Sequence, residues 1–191
     1  RDYRDQGGLL DRILSVGMLE HVGPADVPAY FRTVRRLLAP GGVAVIHSIA
    51  VHDRAAPVNR WMTRYIFPKS HLPSLPQLVR AAEAGGLKIL DMEIMRGHFA
   101  ETLPHWRMRF LRNRDRITAL YDERFVRMWE FYLAGCEYFF RCQHGIVVQL
   151  QLSYDHQAVP ESRDYITELE TEFRDRLCRN DHSGKKRASA T

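Results

Sequence analysis

Apolar positions along this chain change their spacing several times, and each change marks an element. Residues 9–16 open as a short apolar run with β-branched members, which predicts a strand buried on both faces, as in a parallel sheet. Gly17 ends the run, where backbone can approach a ligand closely, and Glu20 and His21 follow it side by side. Asp26 is suited to cap a helix in which Val27, Tyr30, Phe31, Val34, Leu37 and Leu38 recur at helical spacing. Pro40-Gly41-Gly42 stops that helix, and residues 42–50 predict a second buried strand with His47 in its last third. Strand, helix and strand at this spacing form a βαβ unit with a right-handed crossover. The carboxyl ends of both strands then share one edge of the sheet, where open α/β sheets take their ligands. Glu20 and His47 are expected to face a common cleft there. Each also has a plainer reading, Glu20 as a cap on the turn and His47 as a hydrogen-bonded core residue. Their alignment favours chemistry.

Residues 51–73 read as a loop too apolar for a solvated linker, with Trp61, Tyr65, Ile66, Phe67 and Leu72, which predicts a lid over the cleft. Ser74 caps a helix to Ala84, Gly85-Gly86 ends it, and the looser alternation over 87–95 predicts a strand near the sheet edge. Two long helices are predicted over 100–119 and 122–142. The second carries Phe125, Met128, Trp129, Tyr132, Leu133, Cys136, Phe139 and Phe140. Core packing accounts for most of these positions, and a lobe so aromatic also suits a channel for a long apolar substrate. Residues 145–154 form the last strand. Pro160 opens a helix with Ile166, Leu169, Phe173 and Leu177 on one stripe, and the tail from Arg179 is expected to be disordered.

Composition narrows the picture only modestly. The 191 residues allow one sizeable core with a lobe on it, not two full domains. Cys136, Cys142 and Cys178 are odd in number and form no CxxC pair, which suits a reducing compartment. No apolar run reaches the roughly 18 residues of a membrane span, and the start does not read as a signal peptide. A net charge of +5, carried mostly by arginine, permits an anionic partner such as a nucleic acid or a phospholipid surface. Aromatic and basic residues are not interleaved as in a stacking platform, which argues against nucleic acid. The nine histidines show no ligand spacing, so no metal is expected. Phosphate-cradling loops, a nucleophile elbow and HExxH are all absent from the sequence.

Several separate motifs carry a more specific signal. They are the run from Asp11 to Pro24, Tyr30-Phe31, Leu38-Ala39-Pro40-Gly41-Gly42, His47-Ser48-Ile49, and Tyr65-Ile66-Phe67-Pro68 followed by Leu72-Pro73-Ser74. His98-Phe99-Ala100-Glu101-Thr102-Leu103 with Trp106 and Phe110, and then residues 121–132, continue the series. In order and spacing the whole resembles the cyclopropane-fatty-acyl-phospholipid synthase family, relatives of the mycolic acid cyclopropane synthases, over residues 1–154. The resemblance implies an α/β, class I Rossmann-like methyltransferase fold. This chain would supply the C-terminal half of the sheet, with a helical lipid-binding insertion over about 97–142. Residues 1–159 would form that part, 160–178 a C-terminal helix and 179–191 a basic tail.

The implied reaction transfers a methylene from S-adenosylmethionine to the cis double bond of an acyl chain of a membrane phospholipid. The alkene attacks the sulfonium methyl, a base takes a proton from that methyl, and the ring closes. The implied base is a bound bicarbonate held by Glu20, His47, backbone at Ile49 and the residue at position 99, with Val16 and Gly17 bordering the cofactor. Bicarbonate has one O–H to give, and a carboxylate can only accept. Without that proton the two anions repel. The cationic intermediate needs a dry pocket, and aromatic faces steady it. The resemblance further implies a cytoplasmic protein, peripheral at the inner membrane face, with an anionic lipid surface as partner and a homodimer open to the full-length protein.

Two departures qualify this. Phe99 stands where the family has a tyrosine, keeping a ring but losing a donor worth on the order of 1–3 kcal/mol at an anion site. Tyr65 is the candidate replacement. The family's S-adenosylmethionine-binding strand and glycine-rich loop, and its catalytic cysteine, would lie upstream of Arg1. The 191 residues alone are therefore expected to be inactive and poorly stable, with an open sheet edge and an uncovered face. Two alternatives stand beside the leading reading. One is a methyltransferase of the same fold acting on another acceptor or stopping at a methyl branch. The other is a non-catalytic lipid-surface module built on Trp106, Arg107, Arg109, Phe110, Arg112, Arg114 and Arg116.

Overall fold

The computed structural model describes residues 2–52, 58–143 and 145–188, with side chains described as far as Leu177. A four-stranded mixed sheet frames it. Strand β1 (Leu10–Val16) leads through helix α1 (Val27–Leu37) to β2 (Leu38–Val51), which pairs with it in parallel, so the predicted βαβ unit is present. After α2 (Arg60–Tyr65) and α3 (Leu75–Ala84) comes β3 (Lys88–Met95), at the far edge as its weaker alternation predicts. Strand β4 (Gly145–Ser153) lies antiparallel between β2 and β3, giving the order β1-β2-β4-β3.

Pro40-Gly41-Gly42 does not separate helix from strand. The strand starts at Leu38, and Gly41 takes φ +70° at an irregularity where the register opposite Leu10 and Arg12 shifts. Asp26 stands at the N-cap of α1, yet its side chain makes no capping bond. Ser74 does what its sequence position predicts. It caps α3 in a box with Gln77, whose Oε1 accepts from the Ser74 N–H at 2.9 Å.

Strand alternation sends Ala44, Ile46 and Ala50 of β2 and Ile146, Val148, Leu150 and Leu152 of β4 to one face. There they pack with Tyr30, Phe31 and Val34 of α1 and with Leu78 and Ala82 of α3. The two helices close tightly over this face. A methyl at Gly85 would fall 2.7 Å from the Phe31 Cβ, so only glycine lets the end of α3 come this near α1. The opposite face differs from the expectation for β1. Leu14 is 72% exposed and Val16 59%, so β1 is buried on one face only. The reason is that α1 and α3 both pack on the Ile13 side, and no described element covers the other. The bare side is local to β1, since Val51 of β2 and Val147 of β4 are buried.

A second cluster forms the lobe. It joins Leu103 of α4 (His98–Arg112) to Tyr132 and Leu133 of α6 (Glu123–Cys142), with Trp61, Phe67, Phe99, Phe110 and Trp129 packed around them. The helix predicted over 100–119 is two. It begins at His98 and breaks at Asn113, whose side-chain amide donates to the Arg109 carbonyl at 2.8 Å, and α5 (Arg114–Leu120) follows. Pro104 sits inside α4 and removes the N–H that the Ala100 carbonyl would otherwise accept. The Arg141 guanidinium of α6 donates to that carbonyl instead, at 2.9 Å, so the proline also ties the two long helices together. The predicted lid segment contains α2, and its residues 53–57 lie outside the described ones.

Contacts divide the chain into residues 1–156 and 157–191. The second unit holds α7 (Asp164–Ala188), on which the stripe of Leu169, Phe173 and Leu177 is exposed. The side chains over which a disordered basic tail is expected, Cys178 among them, fall outside the described ones. Among the described residues no helix is long and apolar enough to cross a membrane.

Candidate functional site

The site begins where β1 stops. Val16 is the last residue of β1 paired with β2, opposite His47, and the N–H of Gly17 still donates to the His47 carbonyl at 3.0 Å. Gly17 then takes φ +61°, a left-handed conformation that turns the chain out of the strand. A 3-10 turn over Leu19–His21 buries Leu19 in the sheet core and carries Glu20 back towards β2. Ile49, two residues past the last rung, has no β1 partner for its N–H. The Glu20 carboxylate takes that place, with Oε1 accepting from the Ile49 N–H at 2.5 Å. A side chain therefore continues the ladder that the strand has ceased to make. The Glu20 carbonyl in turn accepts from the N–H of His71 at 2.9 Å, which ties the turn to the segment between β2 and α3.

Glu20 is 6% exposed, and its second oxygen, Oε2, is buried with no hydrogen-bond partner among the described residues. A buried carboxylate oxygen costs free energy unless a donor reaches it. A second anion with nothing to donate would be repelled, whereas bicarbonate brings an O–H. The acceptor present therefore fits the expected group.

The other sequence-predicted residues divide. His47 lies half-buried on β2, on the same strand face as Ile49, but among the described residues no hydrogen bond or ion pair joins its imidazole to Glu20. Ile49 is expected to offer backbone to the anion; its N–H is committed to Glu20, so it positions the carboxylate instead. His21, beside Glu20 in sequence, is exposed, with its ring 6.0 Å from Phe67. Val16 is exposed, and Gly17 has open space where a side chain would stand, so the tip of β1 offers room at the place expected to border the cofactor.

Phe99 belongs to the lobe. Its ring lies 5.2 Å from that of Phe140, in the cluster around Leu103 and Tyr132. Tyr65 is 41% exposed and turned towards Trp61 and Arg64, so nothing brings its hydroxyl to Glu20. A series of rings runs from Phe67 through Tyr132 and Trp129 to Phe125 and Tyr121. Burial pushes the Tyr132 hydroxyl up to about 12 and the Cys136 thiol up to about 11, so the lobe interior stays uncharged at neutral pH. Burial likewise lowers His71, favouring its neutral form.

Two contributors escaped the sequence reading. The His71 backbone is anonymous until the fold brings it to Glu20, although the motifs on either side of it flag the segment. The Arg141 bond to Ala100 becomes legible only once Pro104 is placed in a helix.

The profile of the mycolic acid cyclopropane synthetase family matches residues 1–150. The chain is 41% identical over 157 residues to tuberculostearic acid methyltransferase UfaA1 of Mycobacterium tuberculosis, covering 79% of this chain and 37% of that protein. It is 38% identical over 143 residues to the cyclopropane-fatty-acyl-phospholipid synthase of Escherichia coli K12, covering 75% and 37%. Among solved structures, mycolic acid cyclopropane synthase CmaA1 complexed with SAH and CTAB superposes with a TM-score of 0.72 at 29% identity, covering 78% of this chain and 57% of that one. The chain thus spans about two fifths of the length of the curated relatives it matches. The fold is the class I, Rossmann-like methyltransferase fold implied by the motifs.

The ladder-extending role of Glu20 has a direct readout. In Glu20→Ala the Ile49 amide loses its acceptor, and its hydrogen exchange should quicken by about tenfold or more. Glu20→Gln keeps a carbonyl oxygen and should retain most of the protection. Unchanged exchange at Ile49 in Glu20→Ala would contradict the role.

Proposed function

The chain belongs to the mycolic acid cyclopropane synthetase family, and from that premise we propose that its protein transfers a methylene group from S-adenosylmethionine to the cis double bond of an unsaturated acyl chain of a membrane phospholipid. The observation that carries this reading is Glu20, fixed by Ile49 through one oxygen and left with a buried, unpartnered acceptor in the other. In this reading S-adenosylmethionine supplies an electrophilic methyl group, and bicarbonate supplies the base for the proton that leaves it. Glu20 Oε2 accepts the bicarbonate O–H, and His47, on the neighbouring rung, is the donor to its oxygens. The rings of Phe99, Phe140, Trp129 and Tyr132 keep water from the cationic acyl chain, which water would trap as an alcohol. Each ring face that meets the cation favours it by roughly 0.5–2 kcal/mol.

One observation favours a second outcome of the same chemistry. Phe99 brings no hydroxyl to the base, and the UfaA1 relative is named for a methyltransferase rather than a cyclopropane synthase. A weaker hold on the base would let the cation lose a different proton and end as a methyl-branched alkene, an isomer of the cyclopropane. Lipid analysis of a host lacking both modifications, expressing the complete open reading frame, separates the two. Both products are one CH2 heavier than the substrate and keep one degree of unsaturation, but only the branched alkene shows olefinic carbons in NMR, whereas the cyclopropane shows ring carbons. The cyclopropane is expected, and Glu20→Gln should lower its formation by about a hundredfold or more. Full activity in that variant would remove Glu20 from the site.

The protein is further proposed to work at the cytoplasmic face of the membrane. Supporting this, Trp106, Met108 and Leu111 of α4 are exposed among Arg109, Arg112 and Arg116, while Arg107 and Arg114 are engaged by Glu137 and Glu123. Each cation near an anionic surface contributes about 1 kcal/mol. Reversing Arg109, Arg112 and Arg116 to glutamate should therefore abolish co-sedimentation with vesicles containing phosphatidylglycerol. Undiminished binding would show that this face does not meet the membrane.

A further inference from the structure

Where β3 leaves the sheet and α4 begins, a cavity of about 910 Å³ opens beside the lobe. Its walls include His52, Glu93, Arg96, His98 and Phe140, and Glu20 is not among them. Two wall charges are already matched, since Arg141 is held by Glu101, also of the wall, and by Glu137, each at 3.0 Å. Two are not. Arg96 has no ion-pair partner among the described residues, and the Glu93 carboxylate meets only the neutral Gln149 amide, at 3.1 Å. A cation and an anion thus stand open in one cavity, three residues apart in the chain, without pairing to each other.

We propose that this cavity takes the zwitterionic phosphate–amine head of a lipid. Arg96, with His52 and His98 beside it, receives the phosphate, and Glu93 receives the ammonium. A lone anion would meet Glu93, a lone cation would meet Arg96, and an acyl tail would have to strip water from both. The place is right for a head whose tail goes on to react. Phe140 lines the cavity and packs against Phe99 of the lobe, with centroids 5.2 Å apart. His52 follows Ile49 by three residues, so the cavity begins no more than about 10 Å of extended chain from the Glu20 anchor. Glu93, Arg96 and His98 are exposed, which leaves the head in contact with water while its chain enters the lobe. The inference rests on the reading of the protein as one that acts on acyl lipids and deepens it by naming the headgroup class.

Calorimetric titration with dihexanoyl-phosphatidylethanolamine below its micelle concentration tests this, against two other arms. Dihexanoyl-phosphatidylglycerol keeps the tails and the phosphate but lacks the amine, and glycerophosphoethanolamine keeps the head without the tails. The ethanolamine lipid should bind about tenfold tighter than either. Glu93→Gln should bring it down to the level of the glycerol lipid, and Arg96→Gln should weaken both lipids by a similar factor. Three outcomes would each overturn the proposal: no preference for the amine, a preference that survives Glu93→Gln, or a tail-free head that binds as well as the lipid. Saturated tails cannot accept a methylene, so the outcome is independent of turnover. Methylene transfer without a headgroup preference refutes the subsite alone, and a preference without transfer refutes the enzyme reading alone.

Discussion

One hydrogen bond organises the site: the Ile49 N–H of β2 donating to a Glu20 oxygen that stands where β1 no longer runs. A strand that stops beside a longer neighbour leaves that neighbour with backbone groups to satisfy, and inside a protein those groups must find partners. Here the partner is a side chain with two equivalent oxygens, so satisfying the backbone with one necessarily presents the other. The left-handed turn at Gly17, the burial of Leu19 and the His71 bond to the Glu20 carbonyl all hold the carboxylate in this position. In the proposed reaction a structural requirement and a chemical one fall on the same residue.

Around this point two environments meet. The sheet core of α1 and α3 is aliphatic, with Tyr30 and Phe31, and covers one face. The lobe of α2, α4 and α6 is aromatic, and its titratable side chains at Tyr132 and Cys136 are held neutral by burial. The proposed reaction, with a cationic carbon and a departing proton, calls for a fixed polar acceptor and an aromatic pocket without competing water. The Arg141 bond to the carbonyl freed by Pro104 binds α4 to α6, so the lobe's packing is secured by hydrogen bonding as well as by ring contact.

Much of this was legible beforehand, for definite reasons. The period of the apolar residues distinguishes α1 from the strands around it, Ser74 announces the start of α3, and Gly17 marks the end of β1. What was not legible is what depends on partners distant in sequence. Whether β1 is covered on its second face is a property of what packs there, and Leu14 looks the same in sequence whether covered or bare. The continuous apolar pattern over 100–119 hides the break at Asn113, because the amide that ends α4 is a local polar event. The use of the Ile49 N–H could not be read at all, since an apolar side chain says nothing about its backbone. His47 shares its strand face with Ile49, yet among the described residues no hydrogen bond joins its imidazole to Glu20.

In the proposed function the unpartnered Glu20 oxygen selects a small anion by the proton it carries. Nitrate has nearly the shape and charge of bicarbonate but no O–H, so competition between nitrate and isotope-labelled bicarbonate for the protein, followed by carbon NMR, isolates that proton. Bicarbonate should bind at least about tenfold tighter than nitrate, and Glu20→Ala should erase the difference. Nitrate displacing bicarbonate at equal concentration would contradict the account.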